Sequence, residues 1–189
     1  MIHIREAIKF GWKGFKKNWK PFTVLALLVV VVTVLSTDEA PLSIKSFLGQ
    51  VGMAIVALGG TVLSLKVVDG RKVGFSDIGD SYKDFKLLTI FVLVSITYGI
   101  LFQLGLVLLI IPGLFIGARL FAAPYLVIDK NASYIDSFKR SWKLTQGKTI
   151  KLMIFQIVMF GLIILGLLVL VVGVLAAFGV ISIASAYVY

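Results

Sequence analysis

The chain has 189 residues, 59% of them hydrophobic and only 15% charged, with a mean hydropathy of +1.04. Soluble domains run at about half apolar and about a quarter charged, so a water-soluble globule is excluded and a lipid bilayer is the natural solvent. The formal charge of +10 then reports orientation before it reports any ligand. With no cysteine, disulfides, thiolate metal sites and cysteine nucleophiles are excluded as well.

The first predicted element is amphipathic. Ile4, Ile8, Trp12, Phe15 and Trp19 recur every three or four residues, with Lys9, Lys13, Lys16 and Lys17 largely on other faces, the pattern of a helix lying in the headgroup layer. A bilayer core of about 30 Å needs roughly 20 helical residues. Residues 19–35 and 47–65 each satisfy that ruler and are bounded by charge. Phe75, Ile78, Tyr82 and Phe85 then repeat the amphipathic spacing. Residues 87–128 form a 42-residue stretch whose only charge is Arg119, about twice a membrane thickness, so the chain turns back, with Pro112 and Gly113 marking the place and Pro124 a second helix breaker. A third amphipathic segment carries Ile135, Phe138 and Trp142, and Ser133 with Asp136 has the spacing of a capping box. The last 38 residues, 152–189, have no charge and a glycine, Gly173, close to their midpoint, which predicts another reversal.

These elements predict an all-α fold, a polytopic membrane bundle of six transmembrane helices arranged as three hairpins, each preceded by an amphipathic interfacial helix. The whole of 1–189 reads as a single integral membrane domain built of quasi-repeats at about 1–66, 67–128 and 129–189. Lys9, Trp12 and Lys13 align with Lys139, Trp142 and Lys143 at an offset of 130. Seventeen of the 19 basic residues fall before the first span, between the second and third, or between the fourth and fifth. Lys45, beside Asp38 and Glu39, falls on the other side, so the positive-inside rule places both termini in the cytoplasm. A secretory signal is not expected, because the first apolar run follows a 20-residue amphipathic segment without a convincing cleavage site.

Arg119 is the strongest local anomaly, about six residues past the expected turn and roughly 9 Å into its span. A charge at such depth is costly, which suggests a site for an anionic group such as a lipid phosphate or a carboxylate. The other reading is a guanidinium tied to carbonyls freed by Pro112 or Pro124. Gln50, Gln103 and Gln156 place one sizeable amide in each repeat, suited to interhelical hydrogen bonds or to a polar cavity shared with Arg119. Gln103 and Gln156 join Arg119 as candidate ligand contacts. Trp12, Trp19, Lys13, Lys16, Phe138, Trp142 and Lys143 are the candidate membrane-interface residues.

Catalysis has little to work with. His3 is the only histidine and no predicted span contains a carboxylate, so no metal site, cofactor or buried acid–base pair is expected and the chain reads as non-enzymatic. Asp69, Asp77, Asp80 and Asp84, interleaved with Lys83 and Lys86, read as the wet face of a surface helix. The basic residues track the cytoplasmic ends of spans and alternate with Trp and Phe, so the expected partner is anionic lipid headgroups rather than nucleic acid.

The segment from Pro112-Gly113-Leu114-Phe115-Ile116-Gly117-Ala118-Arg119 through Pro124 and Asp129 to Ser141-Trp142-Lys143-Leu144-Thr145-Gln146-Gly147 resembles a poorly characterised group of prokaryotic six-helix membrane proteins. That group is related to the membrane region of membrane-anchored glycerophosphodiester phosphodiesterases. The resemblance is most specific over residues 112–147 and implies a helical bundle in a prokaryotic inner membrane. The soluble barrel that carries the phosphodiesterase chemistry has no counterpart in this sequence, so no enzymatic activity is implied. The expected function is the binding or handling of a lipid or small amphiphile. Alternatives are a scaffold or accessory subunit that recruits a membrane protein or a second copy through its basic cytoplasmic helices, and a small-molecule transporter.

Overall fold

A computed structural model describes residues 3–36, 44–168 and 170–189, and all regular structure among them is helical. In chain order the helices are α1 (Ile4–Lys17), α2 (Trp19–Ser36), α3 (Ile44–Val68), α4 (Phe75–Asp80), α5 (Phe85–Leu108), α6 (Ile110–Leu120), α7 (Ala123–Lys130), α8 (Tyr134–Leu144), α9 (Thr149–Leu168) and α10 (Leu170–Val188). Among the described residues, five stretches are long and apolar enough to cross a membrane: α2, α3, Phe85–Val107 of α5, the α6–α7 pair over Ile110–Lys130, and Thr149–Gly166 of α9. α10, Leu170–Val188, is 19 residues long and carries no charge. Asp38 and Glu39 lie outside the described residues.

The outward faces are as apolar as the interior. Val34 and Leu35 on α2, Leu104 and Val107 on α5, and Phe160 and Leu165 on α9 are all exposed, which is tolerable in lipid and not in water. Inside, α10 touches α1, α2, α3 and α9. One core cluster joins Phe22 and Leu25 of α2 to Val56, Leu63 and Val67 of α3 and Ile183 of α10. A second joins Leu58 of α3 to Phe91 and Val94 of α5 and to Ala123 and Val127 of α7.

Several junctions differ from the sequence reading. The reversal expected at Pro112 and Gly113 falls instead at Leu109, an extended residue between α5 and α6. Pro112 is the third residue of α6, where its missing N–H leaves nothing unpaired. Gly113 serves packing: a Cβ on Gly105 would lie 2.6 Å from the Gly113 Cα, so this glycine pair, four residues either side of Leu109, lets α5 and α6 touch. The span after the reversal is broken between Leu120 and Ala123, directly ahead of Pro124. α9 ends at Leu168 and α10 begins at Leu170, so Gly173 lies inside α10, with residue 169 outside the described residues.

The middle amphipathic segment is also shorter than expected. α4 has only six residues, and Tyr82 and Phe85 lie beyond it, because Gly79, Asp80 and Ser81 are poor helix formers. Ser133 does open α8, but its hydroxyl bonds the Asp136 carboxylate at 3.0 Å rather than a backbone N–H, so the expected capping box is not closed. Helix starts nevertheless recur along the chain. α2, α5 and α9 begin at 19, 85 and 149, spacings of roughly 65 residues.

Candidate functional site

The expected site residues fall in three separate places. Arg119 lies nine residues along α6, about 13 Å from its start at 1.5 Å per residue, and meets α8. Its guanidinium carbon sits 4.6 Å from the Trp142 ring centre and 5.4 Å from that of Phe115. Nη1 donates to the Trp142 carbonyl at 3.3 Å, while Nε is buried without a partner among the described residues. The carbonyl that the guanidinium holds therefore belongs to α8, not to a backbone group freed by proline.

The carbonyl of Arg119, in the last turn of α6, is held by α8 in turn. Ser141 on α8 donates its hydroxyl to it at 2.9 Å, the hydroxyl of Thr145, the α8 C-cap, lies 3.1 Å from it and shares its one proton with the Ser141 carbonyl at 2.9 Å, and Ser141 Oγ accepts the Ala122 N–H at 3.2 Å. Ser137, Ser141 and Thr145, spaced by four, form a buried stripe along α8 and its C-cap. The sequence reading passed over this stripe, although its four-residue spacing of small polar residues was its visible signal. Together these contacts make Arg119 and α8 a clamp across the α6–α7 break.

Gln156 lies elsewhere, in a groove of about 520 Å³ between α5, α6, α9 and α10. Phe102, Leu106, Ile110, Leu114, Phe160 and Ile163 supply the apolar walls, and Tyr98, Gln156 and Ser185 the polar end. The Gln156 side chain lies beside the Tyr98 hydroxyl, which donates to the Gly117 carbonyl at 3.5 Å. Gly117 leaves room for the amide, since a Cβ there would lie 2.8 Å from Gln156 Nε2. Gln156 Oε1 is buried and has no partner among the described residues. Tyr98 and Ser185 were not singled out from sequence, because an isolated Tyr or Ser inside an apolar helix carries no spacing signal.

Gln103 joins Gln50 in a third place, a groove of about 280 Å³ between α3 and α5 that Ala54, Ala57, Ser95 and Gly99 also line. Arg119, Gln103 and Gln156 therefore do not share one cavity.

The interface residues are distributed differently from the expected single aromatic stripe. α1 buries Ala7 and Gly11, and a Cβ on Gly11 would lie 2.5 Å from the Val180 carbonyl of α10. Phe15 packs beside Gly179, and Phe10 stacks on Tyr187 at 4.7 Å. Trp12, 46% exposed, points away with Lys13 and Lys16, whose ammonium lies 5.1 Å from the indole centre. The helix is amphipathic, but the buried face is made of its small residues, because they let α10 approach closely. Trp19 and Lys143 are exposed, Trp142 is 42% exposed despite its contact with Arg119, and Phe138 packs edge-on against Tyr134 at 5.4 Å.

Two of the acidic residues of the middle segment, Asp77 and Asp80, are engaged in ion pairs. Asp77 pairs with Lys66 and accepts the Gly74 N–H at 2.7 Å, and these bonds, the Lys66 bond foremost, hold its carboxyl below the usual carboxylate range. Asp80 pairs with Lys83 at 2.7 Å. Among the described residues no group of three His, Asp or Glu side chains gathers as a metal site would require.

No protein-family model, curated protein or solved structure matches the chain.

Proposed function

We propose that the chain is a non-enzymatic, six-span protein of a prokaryotic cytoplasmic membrane, with both termini inside, that binds a lipid or small amphiphile in the groove between α5, α6, α9 and α10. The groove carries this reading. Its volume of about 520 Å³ lies within the range of roughly 300–1,000 Å³ usual for small-molecule sites, and its long apolar walls end in one cluster of polar groups. Of the three contacts expected from sequence, Gln156 takes the ligand, while Arg119 holds α8 in place and Gln103 faces a different groove.

The recurrence of helix starts at about 65 residues supports three hairpin units, with α10 as the sixth crossing. The basic ends beside exposed Trp12 and Trp19 support anionic headgroups as the surrounding partner. The resemblance over residues 112–147 supports kinship with the six-helix group and adds no activity.

Native mass spectrometry after purification in mild detergent tests the binding function. The wild type is expected to retain lipid, and Leu114→Trp, which fills the groove from α6, to lose it while its helical circular dichroism is unchanged. Equal retention by both proteins would exclude the groove as the site.

A further inference from the structure

A cavity at the basic end of the bundle lies apart from the groove. It has a volume of about 390 Å³ and sits between the second half of α1 and the turn that follows α3. Phe10, Gly14 and Val67 form its apolar wall, and Lys13, Lys17 and Arg71, all exposed, bring three cations to its mouth. No carboxylate lines it; Asp69, two residues before Arg71, is not among the lining residues.

The backbone builds this arrangement. Lys13 and Lys17, four residues apart, share a face of α1. Gly14 between them lets α3 approach, since a Cβ there would lie 2.9 Å from Val67 Cγ1. α3 then stops at a left-handed glycine, Gly70 with φ +77°, and the Arg71 N–H closes on the Lys66 carbonyl at 2.9 Å. Asn18, buried just past the end of α1, ties the two cation-bearing segments together: Nδ2 donates to the Gly14 carbonyl at 3.1 Å and Oδ1 accepts the Val73 N–H at 3.4 Å.

The three cations have no counter-charge in the fold. The ion pairs between described residues engage Lys66, Lys83 and Lys130 and none of these three. A concave site lined by one sign of charge concentrates ions of the other sign. Exposed Trp12 and Trp19 flank this part of the chain, which suits the headgroup layer, and the apolar wall suits the glycerol and first methylenes of a lipid better than a free ion.

We propose that this cavity binds an anionic lipid whose head is a phosphate monoester, the class of phosphatidate. A monoester carries about 1.5 to 2 negative charges at neutral pH, against a single charge for a diester, and so answers three cations best. Arg71 supplies a fork of N–H donors to the phosphate oxygens, and the two lysines supply point charges. The proposal rests on the reading of the basic ends as facing lipid headgroups, and it is independent of the groove.

Native mass spectrometry of the full chain in mild detergent, titrated with dioctanoyl phosphatidate, tests it. On the wild type, saturable binding is expected, with dioctanoyl phosphatidylglycerol, a diester, about fivefold weaker or more, and inorganic phosphate unable to displace the lipid at about a hundredfold excess. The triple variant Lys13→Gln, Lys17→Gln, Arg71→Gln is expected to bind phosphatidate about tenfold more weakly or worse. Lys139→Gln, Arg140→Gln, Lys148→Gln removes the same charge from other exposed positions and is expected to change the affinity by less than about twofold. Equal loss in the two triple variants would reduce the effect to general attraction and overturn the site. Equal wild-type affinity for the two lipids would overturn the monoester head, and displacement by inorganic phosphate would overturn a lipid as the occupant; neither comparison depends on a variant folding. Loss of phosphatidate in Leu114→Trp, with the first triple variant unaffected, would put that lipid in the groove and overturn this cavity. Absence of any phosphatidate binding would overturn this proposal and leave the groove to its own test.

Discussion

Arg119 shows how a costly residue is retained by several modest contacts. Its ring contacts need a flat, delocalised cation, and its bond to the Trp142 carbonyl needs a directed N–H, so charge alone does not reproduce them. Arg119→Lys is therefore expected to destabilise the bundle nearly as much as Arg119→Ala, by about 1–3 kcal/mol, read as lowered thermal unfolding midpoints in detergent. Full stability of the lysine variant would mean that a bare positive charge suffices. The sequence made Arg119 conspicuous because it is the only charge in 42 residues, but not its partner. Trp142 is 23 residues away, and the Ser141 and Thr145 hydroxyls that meet the Arg119 carbonyl are 22 and 26 away, on a segment expected to face only headgroups. Gln156 was legible as a polar group in an apolar helix, whereas its union with Tyr98 and Ser185 depends on three helices meeting.

At the scale of elements, hydrophobic length was the reliable signal. α2 and α3 match their expected spans to within three residues at each end, because charge bounds them on both sides. Junctions inside uncharged stretches were less legible. Pro112 suggested a turn at itself, but proline is accommodated in a first helical turn, and the chain reverses three residues earlier, at Leu109. The amphipathic face of α1 was inferred from its aromatic residues, whereas close packing against α10 is decided by where side chains are small. Gly11→Leu is accordingly expected to lift α1 from α10 and to speed trypsin cleavage in residues 9–17 at least tenfold, with the remaining bundle intact by circular dichroism. Unchanged protection would show that α1 is held by something other than this contact.

The whole molecule was legible in outline because lipid allows few solutions: long apolar stretches must be helices, and their basic flanks fix the side. A helical bundle with membrane-length apolar helices follows from composition, and the structure bears out that much. Cooperation between distant parts was not legible, such as α1 closing against α10 from the opposite end of the chain. The proposed function rests on six crossings with both ends inside. Because the protein has no cysteine, single-cysteine variants labelled by a membrane-impermeant maleimide in intact cells test this directly. Cysteines replacing His3, Ser76, Lys139 and Tyr189 are expected to react only after permeabilisation, and one replacing Lys45 to react from outside. Labelling of position 3 and position 189 from opposite faces would mean an odd number of crossings and would contradict the account.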